Sequence, residues 1–213
     1  DLAVAGSAAV QIFRNQSISG TLVFTSQQTL SAANNTPNAL AIGDFDQDGR
    51  VDLVVANSSA NNVLVFKNNS SLGTINLSLS TTLTTPSAPS SVAVGDFNGD
   101  GFLDIATTNN TSSTVSAFRN VANSSISFTS GITITTGANP VGLAVGDIDG
   151  DGYPDIATIN ASTLSVLRTS ATSMLSFTTT SNVSNSTGGT SIAAGDLNGD
   201  GFPDLATTLS GGS

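Results

Sequence analysis

The feature that most constrains this chain is an acidic segment that recurs four times without gaps. The copies, called loops 1 to 4, read GDFDQDGRVD at 43–52, GDFNGDGFLD at 95–104, GDIDGDGYPD at 146–155 and GDLNGDGFPD at 195–204. Their first aspartates lie 52, 51 and 49 positions apart, and short apolar runs flank each loop on both sides. Repeated units of this kind bury their apolar faces by stacking on their neighbours.

Two more segments recur in each unit. An apolar run that ends in a basic residue lies at 10–14, 63–67, 115–119 and 164–168. A weaker strand-like segment follows at 21–25, 75–80, 126–129 and 174–178. Strand, loop, strand, turn, strand, loop and strand is the order of a β-propeller blade. We predict an all-β fold: a β-propeller of about four blades with four antiparallel strands each, or a segment of a larger propeller.

The repeats divide the chain into consecutive units of one domain that covers 1–213. The predicted units are approximately 1–38 (partial), 39–86, 87–137, 138–188 and 189–213 (partial). Asp1 matches the residue that closes each loop, and 204–208 matches a second strand. Three arrangements remain open: a part of a larger propeller, a small propeller, or ends that are completed by another copy.

Oxygen-bearing side chains occupy positions 1, 3, 5 and 9 of each loop when its first aspartate is counted as position 1. Glycine at position 6 allows a sharp turn, and position 7 offers its main-chain carbonyl. All 15 acidic residues are aspartates, and apart from Asp1 they all lie in the loops. The candidate metal ligands are Asp44, Asp46, Asp48, Arg50, Asp52, Asp96, Asn98, Asp100, Phe102, Asp104, Asp147, Asp149, Asp151, Tyr153, Asp155, Asp196, Asn198, Asp200, Phe202 and Asp204.

An oxygen-only ligand set favours calcium, because zinc prefers the nitrogen and sulfur of histidine and cysteine, and the chain has neither. Carboxylates about 4 Å apart repel by roughly 1 kcal/mol per pair in water and about 4 kcal/mol at an effective dielectric near 20. A bound cation removes this repulsion, so we predict about four calcium sites. An EF-hand does not fit, because position 12 is Val55, Thr107, Thr158 or Thr207. An acidic turn without metal is the remaining alternative.

The composition argues against several other functions. A formal net charge of −10 disfavours nucleic acid, which requires a basic surface. No apolar run approaches the length of a membrane span. His, Cys and Glu are absent and the aspartates are assigned to metal, so no tuned acid or base is left for catalysis. We therefore expect a protein that is not an enzyme.

The run Asp-Phe-Asn-Gly-Asp-Gly-Phe-Leu-Asp-Ile, preceded by Val-Ala-Val-Gly, resembles the FG-GAP/VCBS repeats of integrin α-subunit propellers and of many microbial surface proteins. The resemblance covers essentially the whole chain. It implies that the loop joins the first two strands of a blade and binds calcium. It also implies an extracellular or cell-surface location and a role in adhesion, although one fold serves many functions.

Asn-x-Ser/Thr sequons are frequent and predict a glycoprotein. The candidate acceptors are Asn15, Asn34, Asn57, Asn68, Asn69, Asn76, Asn109, Asn110, Asn123, Asn160, Asn182 and Asn185.

The leading hypothesis is a structural or adhesion building block that assembles into a surface filament by strand addition at incomplete blades. The alternative is a lectin-like module that binds a glycan or a surface protein. That alternative needs exposed aromatic side chains at repeated positions, for which Phe102, Tyr153 and Phe202 are the candidates; they could equally cover the loop. The basic residues that end the third strands are interpreted as solvated charges that discourage edge pairing.

Overall fold

The computed structural model describes residues 1–31, 36–121, 125–170, 174–184 and 188–210, and it is built from antiparallel strands. No helix occurs in these ranges, and therefore no helix there is long and apolar enough to cross a membrane. The strands are β1 (Leu2–Ala5), β2 (Ala9–Asn15), β3 (Phe24–Ser31), β4 (Pro37–Gly43), β5 (Asp52–Asn57), β6 (Asn62–Asn68), β7 (Leu77–Thr84), β8 (Pro89–Gly95), β9 (Asp104–Asn109), β10 (Thr114–Phe118), β11 (Ile132–Thr135), β12 (Gly142–Gly146), β13 (Asp155–Ile159), β14 (Thr163–Thr169), β15 (Phe177–Ser184), β16 (Gly189–Gly195) and β17 (Asp204–Leu209).

Consecutive strands pair into separate sheets. Three sheets have four strands each (β4 to β7, β8 to β11 and β12 to β15), β1 to β3 form a three-stranded sheet, and β16 and β17 form a pair. All described strand pairs are antiparallel, and loops 1 to 4 each join the first two strands of a sheet. The all-β prediction with four antiparallel strands per unit is therefore confirmed.

The fourth strands begin later than the sequence predicted. They start at Phe24, Leu77, Ile132 and Phe177, whereas the expected segments began at 21, 75, 126 and 174. In the first two sheets the intervening residues extend the hairpin instead, through bridges between Ile18 and Thr21 and between Ser71 and Thr74. Gly20 and Gly73, with φ of 80° and 84°, make the tight turns that these extensions require.

Apolar side chains lie between neighbouring sheets because each sheet is apolar on both faces. Along β5, alternate residues point to opposite sides: Leu53 and Val55 pack toward the sheet of β1 to β3, whereas Val54 and Ala56 pack toward β8 to β11. A third cluster lies between the sheets of β8 to β11 and β12 to β15. The first strands of successive sheets also contact one another, so β4, β8, β12 and β16 form the inner series of a propeller-like stack.

Candidate metal-binding loops

A common set of hydrogen bonds shapes the four loops. The position-1 carboxylate accepts the main-chain N–H of the position-6 glycine at 2.8–2.9 Å in every loop. The position-5 carboxylate accepts the N–H of position 7 at 2.8–3.0 Å. The position-6 glycines have φ between 84° and 91°, as the prediction of a sharp turn required. These hydrogen bonds curl each loop around the carboxylates at its positions 1 and 5.

Carboxylates gather most closely in loops 1 and 3. Oxygen atoms of Asp44, Asp46 and Asp48 lie within 4.8 Å of one another, as do those of Asp147, Asp149 and Asp151. One buried oxygen in each cluster, Oδ1 of Asp46 and Oδ1 of Asp147, has no hydrogen-bond partner. A buried acceptor without a partner is costly, and a hard cation would satisfy it. These residues therefore fit a calcium ion.

Loops 2 and 4 carry asparagine at position 3. In loop 2 the Asn98 side chain donates to Oδ2 of Asp100 at 2.9 Å and accepts the Asp100 N–H at 3.2 Å. Hydrogen bonding from Asn98, Phe102 and Arg119 outweighs burial, so the pKa of Asp100 lies below its ordinary value. Loop 4 keeps the acceptor contact between Asn198 and the Asp200 N–H. These loops hold one carboxylate fewer than loops 1 and 3, which weakens the attraction for a cation.

The position-9 aspartates have a structural role that the sequence analysis missed. Asp52, Asp104 and Asp155 are buried, and Oδ2 of each accepts the N–H of position 2 in its own loop at 3.0–3.1 Å. Oδ1 accepts an N–H at or just beyond the end of the third strand at 2.8 Å. In Asp155, Oδ1 also accepts the Thr169 hydroxyl at 3.2 Å. Both oxygens of Asp52 and Asp104 accept one of these hydrogen bonds each, and the ligand role of position 9 stays a prediction. The carboxylate connects the loop to the third strand.

Burial dominates the electrostatics of these position-9 carboxyls. Desolvation raises the pKa of Asp104 to about 7, against the hydrogen bonds from Asn120 and Phe97 that lower it. Desolvation also raises the pKa of Asp52 and of Asp155. The neighbouring acidic side chains of the same loops raise these pKa values further. The ionised form of the position-9 carboxyl is therefore destabilised in the absence of a cation.

Three of the four basic residues that end the third strands pair with loop aspartates, which their interpretation as solvated strand ends did not predict. Lys67 contacts Asp46 and lies 2.7 Å from Asp48, and its hydrogen bond is the main reason that the pKa of Asp48 is lowered. Arg119 lies 3.1 Å from Asp100. Arg168 contacts Asp149 and Asp151. Each base reaches back to its own loop because the third strand ends beside it, and each supplies one positive charge to the carboxylates.

The position-7 aromatic rings pack against the preceding loop. A Cβ added at Gly99, position 4 of loop 2, would lie 2.5 Å from the Tyr153 ring, and one at Gly150 would lie 2.5 Å from the Phe202 ring. Loops 1 and 2 are joined differently, by a 2.8 Å hydrogen bond from Gln47 Nε2 to the Gly101 carbonyl. Consecutive loops therefore touch, and Tyr153 and Phe202 cover a neighbouring loop.

The apolar residue at position 2 is a second feature that the sequence analysis missed. Phe45 is buried between its own sheet and the next, with its ring 5.6 Å from that of Phe128. Asn120 of the next sheet donates to the Phe45 carbonyl at 2.8 Å. Phe97 packs in the same way on Phe177. The apolar residue that recurs at position 2 of every loop was the available signal.

The predicted glycan acceptors fall into different environments. Asn57, Asn109 and Asn160 are fully buried and hydrogen-bonded inside the sheets, so a glycan cannot be attached to them in the folded chain. Asn15, Asn69 and Asn76 are exposed, whereas Asn68 and Asn110 are half-buried. Asn34, Asn123 and Asn185, together with the side chain of Asn182, lie outside the described residues.

Stacked antiparallel four-stranded sheets with an aspartate loop between the first two strands define a propeller-like class of repeat protein. The chain belongs to the FG-GAP-like repeat family, whose model matches residues 1–55, 44–107, 105–158 and 147–207. No curated protein matches this sequence.

A solved structure with the same fold is that of BBS1N, determined as a crystal structure in complex with ARL6DN and soaked with lead. The two chains are 16% identical with a TM-score of 0.64, and the match covers 98% of this chain. It covers 58% of BBS1N, so the present chain spans just over half the length of that protein. At this identity the likeness shows the fold alone.

Proposed function

We propose that this chain is a non-catalytic β-propeller module, or a segment of one, that binds about four calcium ions and mediates protein interaction. The observation that carries the calcium proposal is the buried, unpartnered oxygen of Asp46 and of Asp147 within clustered carboxylates. Bound ions would stabilise the loops that touch one another along the stack. Calcium is thus proposed as a structural ion.

Calorimetric titration with calcium, paired with thermal unfolding in calcium and in chelator, tests this proposal. We expect uptake by loop 3 before loop 2, because loop 3 holds one more carboxylate and each of these two loops pairs with one arginine. A site that binds only the folded chain adds about 2.7 kcal/mol to the free energy of unfolding at a hundredfold excess of ion over Kd. Asp46→Asn gives loop 1 the position-3 residue of loop 2 and should weaken one tight site. No uptake at millimolar calcium would contradict the proposal.

The proposed protein interaction is an adhesive or structural one, at the cell surface or outside the cell. The family membership and the complex that BBS1N forms with ARL6DN support this part of the proposal. Self-association by strand addition and filament formation belong to the same proposal. The exposed sequons at Asn15, Asn69 and Asn76 are proposed glycan acceptors, and mass spectrometry of the natively produced protein would detect their occupancy.

The second candidate is a lectin-like module. Phe202 favours it, because half of this ring remains exposed although it packs against loop 3. Tyr153 and Phe102 are less exposed, which leaves no repeated row of open aromatic rings. Reproducible binding on a glycan array that is lost in Phe202→Ala would favour this candidate over the first.

A further inference from the structure

The basic residue at the end of the third strand holds two of the candidate calcium ligands in loop 1. Lys67 Nζ contacts Oδ2 of Asp46 at position 3 and lies 2.7 Å from Oδ2 of Asp48 at position 5. Among the described ion pairs, Lys67 is the only base that reaches Asp46, whose side chain is almost fully buried. One tethered ammonium group therefore joins the carboxylates of positions 3 and 5.

An arginine makes the corresponding contacts in loop 3. Arg168 Nε contacts Asp149 at position 3, and Arg168 Nη2 lies 3.3 Å from Oδ2 of Asp151 at position 5. A lysine and an arginine thus place their charges on the same pair of positions, although their side chains differ in length and shape. The position of the charge is therefore set by where the third strand ends.

The arginine of loop 2 keeps half of this arrangement. Arg119 Nη2 lies 3.1 Å from Oδ2 of Asp100 at position 5. Position 3 is Asn98 instead of aspartate, and Arg119 Nε is buried without a hydrogen-bond partner among the described residues. The group that pairs with position 3 in loop 3 is thus left without an acceptor here, which is costly. An aspartate at position 3 would supply that acceptor.

The oxygen that the bases contact at position 5 is also the one best placed for a cation. In loops 1 to 3, Oδ1 of position 5 accepts the main-chain N–H of position 7 at 3.0 Å. Among the described hydrogen bonds, Oδ2 accepts no main-chain N–H, and it faces Lys67, Arg119 or Arg168. In loop 1 it receives donors from both Lys67 and Arg50, which occupy its two lone pairs. A calcium ion therefore competes with a tethered base for this oxygen.

Electrostatics favours exchange over simultaneous binding. A divalent ion and a base a few ångström apart repel each other twice as strongly as two unit charges do, and the repulsion grows as the dielectric falls below that of water. The side chains of Lys67, Arg119 and Arg168 are 29%, 30% and 49% exposed. Each base therefore has a path into solvent when an ion takes its place.

We propose that these three bases are tethered counter-ions that exchange with calcium. Each base holds the carboxylates of its loop when calcium is scarce and turns into solvent when the ion binds. This proposal rests on the proposed calcium function and adds how the same sites are regulated. The base keeps the carboxylates from forcing the loop open at low calcium, and it raises the calcium concentration at which the loop is half-occupied.

Lys67 is the only lysine in the sequence, which makes its amine a selective probe of the exchange. Brief treatment of the full chain with acetic anhydride, followed by mass spectrometry of the peptide that contains Lys67, measures how accessible this amine is. We expect severalfold faster acetylation in saturating calcium than in chelator. Sodium chloride at the same ionic strength is the control for screening and should have little effect. Calcium uptake that leaves the acetylation rate unchanged would overturn the exchange.

Lys67→Met removes the charge and keeps a side chain of similar length. We expect the Kd of one calcium site to fall about tenfold, because no base competes with the ion or repels it there. The melting temperature should fall in chelator but not in saturating calcium, and Lys67→Arg should restore both properties. An equal fall in both conditions with an unchanged Kd would overturn the exchange alone. An unsubstituted chain that takes up no calcium would overturn the calcium proposal with it.

Loop 2 provides an independent test in chelator. Asn98→Asp supplies the acceptor that Arg119 Nε lacks, so it should raise the melting temperature of the otherwise unsubstituted chain. In the Arg119→Met variant the same substitution should lower it, because the added carboxylate then repels Asp100 without a counter-ion. The double-mutant cycle isolates the pairing from other effects of each substitution. The same change in both backgrounds would overturn the role of the base at position 3.

Discussion

The aspartate that closes each loop is buried at Asp52, Asp104 and Asp155, where it joins its loop to the third strand. Two main-chain N–H groups favour the ionised carboxylate, while burial opposes ionisation. For Asp104 burial dominates and raises the pKa from 3.8 to about 7. The position-9 aspartate therefore holds the loop to the third strand and also makes the stability of the loop depend on pH when no cation is present.

This raised pKa predicts how stability depends on pH without calcium. Because the folded pKa of Asp104 lies above its unfolded value, the stabilisation is complete below about pH 4 and is lost as the pH rises through about 7. The loss from this residue is at most about 4 kcal/mol, since one pKa unit corresponds to about 1.4 kcal/mol. Asp52 and Asp155 shift in the same direction.

Urea unfolding in chelator at several pH values between about 5 and 8 measures this effect. Saturating calcium is the control, because a nearby cation favours the ionised form and should reduce the decline. A free energy of unfolding that stays constant over this range in chelator would contradict the prediction.

At the scale of elements, consecutive loops support one another. Tyr153 and Phe202 cover the glycine at position 4 of the loop before them. Gly99 and Gly150 have φ of 72° and 77°, which glycine adopts without strain, and the close approach of the ring leaves no room for a Cβ there. Position 4 of loop 1 is Gln47, with φ of 57°, and its side chain bonds to loop 2 instead.

Gly99→Ala should therefore destabilise the chain more than Gly101→Ala. Both residues have positive φ, which costs alanine about 1 kcal/mol, but nothing lies within 4 Å of a Cβ at Gly101. At Gly99 the methyl group would meet the Tyr153 ring, and overpacking adds about 1–3 kcal/mol. Chemical denaturation of both variants in chelator gives the comparison. Equal losses would mean that the two loops separate easily.

The sequence predicted the elements better than their side-chain contacts. Loop spacing and the flanking apolar runs were sufficient to place the first three strands of each unit, because these signals are local. The later start at Leu77 was missed, because Gly73 inserts a turn that only the hairpin register reveals. The pairing of Lys67 with Asp46 and Asp48, and the burial of Phe45 by the next sheet, depend on contacts between residues far apart in sequence.

At the scale of the whole molecule, burial decreases from the middle of the stack toward its ends. All residues of β5, β9 and β13 are buried. β1 and β17 have none that are fully buried, because a neighbouring sheet covers them on one side at most. A stack in which each unit contacts only its neighbours should open from its ends.

Amide hydrogen exchange should reproduce this order. We expect the slowest exchange in β5 and β9 and the fastest among the strands in β16 and β17, with β1 also fast. Mass spectrometry of peptides from the exchanged chain provides the measurement, and the fully denatured chain is the control for unprotected exchange. Uniform protection along all sheets would indicate that the chain unfolds as one cooperative unit.

The position of Phe45 and Phe97, each anchored in one sheet and seated in the next, has a consequence for how such genes can change in length. If one whole repeat is duplicated or deleted, every remaining junction between sheets still has the aromatic ring of one sheet and the site for it in the next. This holds wherever in the repeat the recombination occurs. Recombination can therefore lengthen or shorten the array by single sheets without creating a mismatched interior. An insertion of half a repeat would leave an aromatic ring exposed to water and leave a void between the adjacent sheets.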